Sequence, residues 1–189
     1  MSDRRLLALD LGVKLALVVL LLVGAFSGLE RFEGKAMDGR ALTYPLATVI
    51  VPVVWWLWFR RTHYPYALDV LVVMPFLIDT AGNALDLYDT VGWWDDANHV
   101  VNWFLLVAGF GQVLLRSRLA TAVVFGLALG FGAVTHILWE IGEYFAFIRD
   151  NPDEFRTAYT DTIGDLGLSL SGSALAALLV AALARRSSL

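Results

Sequence analysis

Two histidines and a set of carboxylates recur at helical spacing inside the most apolar parts of this 189-residue chain. His136, Glu140 and Glu143 stand at i, i+4 and i+7, as do Asp95, His99 and Asn102, and again Asp79, Asn83 and Asp86. Asp161, Asp165 and Ser169 follow one another four residues apart. Each set falls on one face of an α-helix. Mixed imidazole and carboxylate donors suit zinc, iron or manganese, whereas all-oxygen subsets suit calcium or magnesium. His136-x-x-x-Glu140-x-x-Glu143 presents two or three ligands on one helix face, as carboxylate-bridged dimetal bundles do, without reproducing their Glu-x-x-His spacing. The expected divalent-metal ligands are therefore His99, His136, Glu140, Glu143, Asp161 and Asp165. Glu140 and Glu143 are the candidate catalytic carboxylates, and Asp79, Asn83, Asp86, Asp95 and Asp96 are expected to line the same cavity.

The elements that carry these residues are set by hydropathy. The chain is 58% hydrophobic and 17% charged, with a mean hydropathy of +0.66, against about a quarter charged in soluble domains. Six apolar runs approach the roughly 20 residues needed to cross a bilayer, near 9–29, 42–59, 66–87, 98–115, 119–148 and 161–184. Short connections join them. This predicts an all-α fold, a polytopic membrane bundle of six transmembrane helices forming one integral membrane domain. Arg4 and Arg5 before an apolar core, with Ala25-Phe26-Ser27 after it, resemble a signal peptide. The run is long for that role and is interrupted by Asp10 and Lys14, so a retained anchor is expected.

Counting alternate connections, Arg4, Arg5, Arg60, Arg61, Arg116, Arg118, Arg185 and Arg186 lie on one side, and Arg31, Lys35, Arg40, Arg149 and Arg156 on the other. The positive-inside rule then places both termini of a multi-pass membrane protein in the cytoplasm. Trp93 and Trp94 suit one interfacial belt, and Trp55, Trp56 and Trp58 the other. The net charge of -4 and the lack of a basic cluster exclude a nucleic-acid partner. With no cysteine there is neither a disulfide nor a thiolate metal site.

In this topology all four polar stripes reach the outer half of the bilayer, Asp79 lying about 10 Å below Asp86. An ionised group in hydrocarbon costs several kcal/mol unless paired or hydrated, so the stripes are expected to face one another. The cations look too few and too peripheral to cancel so many acids, which leaves shared protons, metal ions or water. Asn102, Ser169, Thr135 and Thr162 read as interhelical hydrogen-bonding groups. Asp69 reads as a helix cap, a role also open to Asp95, Asp96 and Asp161. His63 reads as a solvated loop residue. A D-T-x-G pattern occurs at Asp79-Thr80-Ala81-Gly82, Asp89-Thr90-Val91-Gly92 and Asp161-Thr162-Ile163-Gly164, its glycine suited to a turn or to close helix approach.

The nucleophile elbow, the HExxH zinc helix, a histidine-box set and nucleotide-binding glycine loops are all absent. Three blocks in the second half carry a resemblance: Asp95-x-x-x-His99, Glu140-x-x-Glu143, and Tyr159-Thr160-Asp161-Thr162-x-x-Asp165 followed by Gly172. They resemble the YjdF-like family of polytopic inner-membrane proteins. That resemblance implies a helical membrane fold and brings no activity with it. The residues themselves point to an integral membrane protein whose outer-leaflet cavity binds one or two divalent metals; as an enzyme it would be a metal-dependent one, such as a hydrolase, acting on a lipidic or periplasmic small molecule from within the lipid bilayer. Two other readings fit the same residues: a proton-coupled transporter using the carboxylates as a relay, and a membrane scaffold with structural polar contacts.

Overall fold

The structure is a computed structural model that describes residues 3–149 and 151–187. Among the described residues its regular structure is all helical, without strands. Six stretches are long and apolar enough to cross a membrane: Asp3–Phe26, Met37–Phe59, Tyr66–Ala84, Trp94–Leu114, Thr121–Ala146 and Phe155–Arg186. These match the six expected helices, with shifted ends.

The shifts have local causes. Helix α1 (Asp3–Phe26) is followed by a connection in which Gly28 (φ 65°), Gly34 (φ 73°) and Ala36 (φ 44°) are left-handed. The second span starts at residue 37 because the short α2 (Met37–Thr43) runs through Tyr44 into α3 (Pro45–Val54). Tyr44 is α-helical (φ -65°, ψ -31°) although a proline follows it, a conformation that proline disfavours in its predecessor. α3 continues into a π-helical turn at Trp55–Phe59. α4 (Tyr66–Ala84) stops short of residue 87 because Asp86 adopts φ 61° and ψ 28°, a left-handed conformation that aspartate tolerates. The polar stripe of α4 thus ends at Asn83, and Asp86 opens the short α5 (Leu87–Thr90). α6 (Trp94–Leu114) and α7 (Thr121–Glu143) follow, α7 extended by a second π-helical turn at Tyr144–Ile148. α8 (Pro152–Ser187) starts nine residues before the expected 161, with proline at its first position, where the missing N–H costs no hydrogen bond.

The chain forms two compact units, Met1–Trp94 and Asp95–Leu189. In the first, Leu17 and Leu21 of α1 are buried with Val70 and Val73 of α4, and Gly24 leaves room for Met37. In the second, Val107 and Leu114 of α6, Val124 and Ala128 of α7, and Ala176, Ala177 and Val180 of α8 make one apolar core. Small residues draw these three helices together. A side chain at Gly132 would strike Ser173, one at Gly111 would strike Val180, and one at Gly172 would strike the backbone carbonyl of Val100. Leu11, Leu15 and Leu22 of α1 and Leu175, Leu178 and Leu179 of α8 are exposed, as suits helices whose outer surface meets lipid.

The D-T-x-G glycines divide on this evidence. Gly82 packs against the Trp94 indole, where a side chain would collide, but Gly92 and Gly164 have nothing within 4 Å. Close approach therefore accounts for the first copy alone.

Because Val100 O is a backbone atom and cannot rotate aside, Gly172→Leu is expected to lower the stability of the second unit by about 1–3 kcal/mol. Gly167→Leu, on the open side of the same helix, should leave the thermal midpoint in detergent unchanged or higher. Equal midpoints for the two variants would refute the contact.

Candidate metal centre

The histidines and several of the acids meet in the second unit. α6 supplies Asp95, His99 and Trp103, α7 supplies His136 and Glu140, and α8 supplies Asp165 and Ser169. His99, His136 and Asp165 are buried, and the Glu140 side chain is 10% exposed. Nδ1 of His99 lies 3.1 Å from Ser169 Oγ, which is in turn 3.5 Å from the His99 carbonyl oxygen. If the hydroxyl donates to that carbonyl, its oxygen accepts from Nδ1–H, and Nε2 is left to face the carboxylates. There it is 3.3 Å from Asp165 Oδ1 and 3.7 Å from Asp95 Oδ1. A ring lone pair directed at two carboxylates is stable only with a cation between them, either a proton or a metal.

The second histidine makes the stronger case. His136 Nε2 and Glu140 Oε1 are 2.8 Å apart, yet neither atom makes a hydrogen bond, and both are buried. Two donor atoms so close, neither satisfied by a hydrogen bond, form a pair of the kind that a shared proton or a metal ion bridges. Two triads result, each with its donor atoms within 4.8 Å of one another: His99, His136 and Glu140, and Asp95, His99 and Asp165. His99 belongs to both. Aromatic rings wall the group: Trp103 lies edge-on to His136 at 4.4 Å and stacks on His99 at 5.7 Å, with Trp139 behind it at 6.0 Å. The His99 and His136 ring centres are 5.3 Å apart.

Other expected residues belong to neither triad. Glu143 accepts a hydrogen bond from the Trp139 side chain one turn beyond Glu140 and joins neither triad. Asp161 and Asp96 are exposed and also join neither. Asn102 donates to Asn98 Oδ1 at 3.3 Å, an interaction within α6 rather than between helices.

Asp79 and Asn83 belong to the first unit, in a different setting. The Asp79 carboxylate accepts from Arg40 Nε at 3.0 Å and Nη2 at 3.3 Å, from Tyr44 OH at 2.7 Å and from Tyr88 OH at 2.8 Å. Asn83 donates to the Asp79 carbonyl at 3.0 Å. The expectation that the cations are too peripheral to neutralise the acids fails here. Arg40 folds back from the start of the second span, its side chain only 12% exposed. At the opposite end of α4, Asp69 is fully buried rather than capping, and it pairs with Lys14 and accepts from Tyr64. Lys14 also reaches Asp10 at 3.3 Å. The sequence holds one sign of this cluster, the i, i+4 spacing of Asp10 and Lys14 within an apolar run.

Lys35 clasps the α4–α5 corner from the first connection, 2.8 Å from Asp86 and 2.5 Å from Asp89. Burial alone would lower the Lys35 ammonium, but its hydrogen bonds to the two aspartates outweigh that and raise it. The Lys35 hydrogen bond is likewise the main cause holding Asp86 below the usual carboxylate range.

Six membrane-length helices, buried ion pairs and a histidine–carboxylate group define a polytopic α-helical membrane protein. The chain matches the model of the family described as "Predicted membrane protein (DUF2238)" over residues 12–186, and it belongs to that YjdF-like family. No match was found among curated proteins or solved structures.

Two outcomes are expected in the first unit. Arg40→Met strands the buried Asp79 carboxylate and should cost about 3 kcal/mol in detergent denaturation. Adding Asp79→Leu should restore most of that loss, and no recovery in the double variant would count against the pairing. For the clasp, the lowered Asp86 contributes above its ordinary pKa of 3.8 and loses that contribution as pH falls through its folded value. The raised Lys35 contributes below 10.5 and loses its share as pH rises through its folded value. Hydrogen-exchange protection of the two connections, corrected for intrinsic rates, should therefore be flat across neutral pH and fall at both extremes. Lys35→Met should flatten the profile.

Proposed function

We propose that the second unit holds a divalent transition metal and that the protein is a membrane-embedded metalloprotein. The observation that carries this is the buried, unbonded pair of His136 Nε2 and Glu140 Oε1, with His99 beside it. Two imidazoles with carboxylates form a donor set suited to zinc, iron or manganese. Ser169 would fix the tautomer of His99, as hydrogen-bonded neighbours of metal-binding histidines do. Asp165, and Asp95 at its half-exposed rim, complete the set.

Such a metal would make a bound water nucleophilic near neutral pH. Glu143 is one turn from Glu140 on the same helix, within reach of the role of general base. The reaction class this supports is metal-assisted hydrolysis, with a lipidic or periplasmic small molecule as substrate. The arginine asymmetry supports an orientation with both termini in the cytoplasm and the centre towards the outer face of a cell membrane.

Elemental analysis tests the metal directly. Protein purified in mild detergent, without chelator or histidine tag, should carry a near-stoichiometric transition metal by inductively coupled plasma mass spectrometry. His136→Ala and Glu140→Gln should reduce it at least tenfold while the elution profile stays that of the folded protein. Unchanged metal content in both variants would defeat the proposal.

A further inference from the structure

Asp10, Lys14, Tyr64 and Asp69 form a second buried polar group, in the first unit. It lies at the end of α1 and α4 where both helices begin, two turns into α1 and one turn into α4. The Asp10 side chain is 4% exposed and that of Asp69 not at all, while Lys14 is 17% exposed. Lys14 Nζ binds Oδ2 of both aspartates, and Tyr64 donates to the same oxygen of Asp69. Oδ1 of Asp10 and Oδ1 of Asp69 are both buried and have no hydrogen-bond partner.

Charge and hydrogen bonding both point to something additional here. Two carboxylates and one ammonium leave one uncompensated negative charge within a helix pair whose outer surface meets lipid, an arrangement that is costly without a counter-charge. Among the described residues, Arg4, Arg5, Arg60, Arg61 and His63 at this end of the helices are exposed, and Lys14 is the cation that reaches the pair. α3 carries no titratable side chain between Pro45 and Val54, Arg40 and Tyr44 are engaged with Asp79, and Tyr66 is the other titratable neighbour of Tyr64. Outside the span, burial first and then the hydrogen bond to Asp69 push the Tyr64 phenol up, so it stays a neutral donor.

We propose that Asp10 and Asp69 form a monovalent-cation site, in which the two unpartnered Oδ1 atoms take one further positive charge, a proton or an alkali ion. Lys14 holds the pair together and excludes a divalent ion by supplying one positive charge itself. This site is independent of the histidine–carboxylate centre.

The test is thermal unfolding of the whole protein in detergent, in sodium chloride against N-methylglucamine chloride at equal ionic strength, across a pH series. The wild-type midpoint should rise with sodium if the ligand is an alkali ion, or with acidification alone if it is a proton. Asp10→Asn and Asp69→Asn each remove the uncompensated charge and should abolish that response. Should neither variant fold, Tyr64→Phe serves instead. Loss of a donor to Asp69 strengthens cation binding, so its response should move to about tenfold lower sodium or proton concentration. A wild-type midpoint indifferent to both ions overturns the proposal. So does a response that persists in a folded asparagine variant, or one that Tyr64→Phe leaves in place.

Discussion

The cost of an uncompensated charge in an apolar surrounding governs this molecule. Eighteen acids and fourteen basic residues share a chain that is 58% hydrophobic, so every acid drawn into the helices needs a partner within reach. The first unit meets most of this with its own cations. Arg40 turns inward to Asp79, Lys14 bridges Asp10 and Asp69, and Lys35 clasps Asp86 and Asp89 from a connection whose left-handed residues let it bend back. The histidine–carboxylate triads of the second unit are built from donors and acceptors of the kind that metals and protons bind.

Fold class was legible because hydropathy and length are properties of the sequence itself, and a polar residue recurring every three or four positions marks a helix face wherever the helix packs. The same periodicity picked out His99, His136, Glu140 and Asp165. It failed where backbone conformation intervened. Asp86 keeps the i+7 spacing from Asp79, but its left-handed backbone takes it off the helix. Periodicity also says nothing about which cation reaches which acid. Arg40 and Asp79 are 39 residues apart, and the packing of α2 on α1 and of α3 on α4 brings them together. Asp69 showed the pattern of a cap, the commoner role for an acid in a first helical turn, and its burial against Lys14 depends on α1 packing beside it.

The tyrosines illustrate a further limit. Tyr44, Tyr64 and Tyr88 each donate to a buried carboxylate, and none stands out in the sequence, where an aromatic in an apolar run reads as a packing residue. Their polar ends matter because a phenol supplies a hydrogen bond to an anion without adding a charge of its own. Around Asp79 two phenols and one guanidinium therefore give full solvation with a single positive charge.

Gly172 sits three residues beyond Ser169, and the Val100 carbonyl it touches belongs to the residue after His99. The separation between α6 and α8 at that level is consequently set by bare backbone against backbone, with no rotamer able to widen or narrow it. His99 thus meets Ser169 and Asp165 across a gap of fixed width, as though gauged by a spacer of zero thickness. The precision of a polar centre is here inherited from an atom that is missing, at a position with no chemistry of its own.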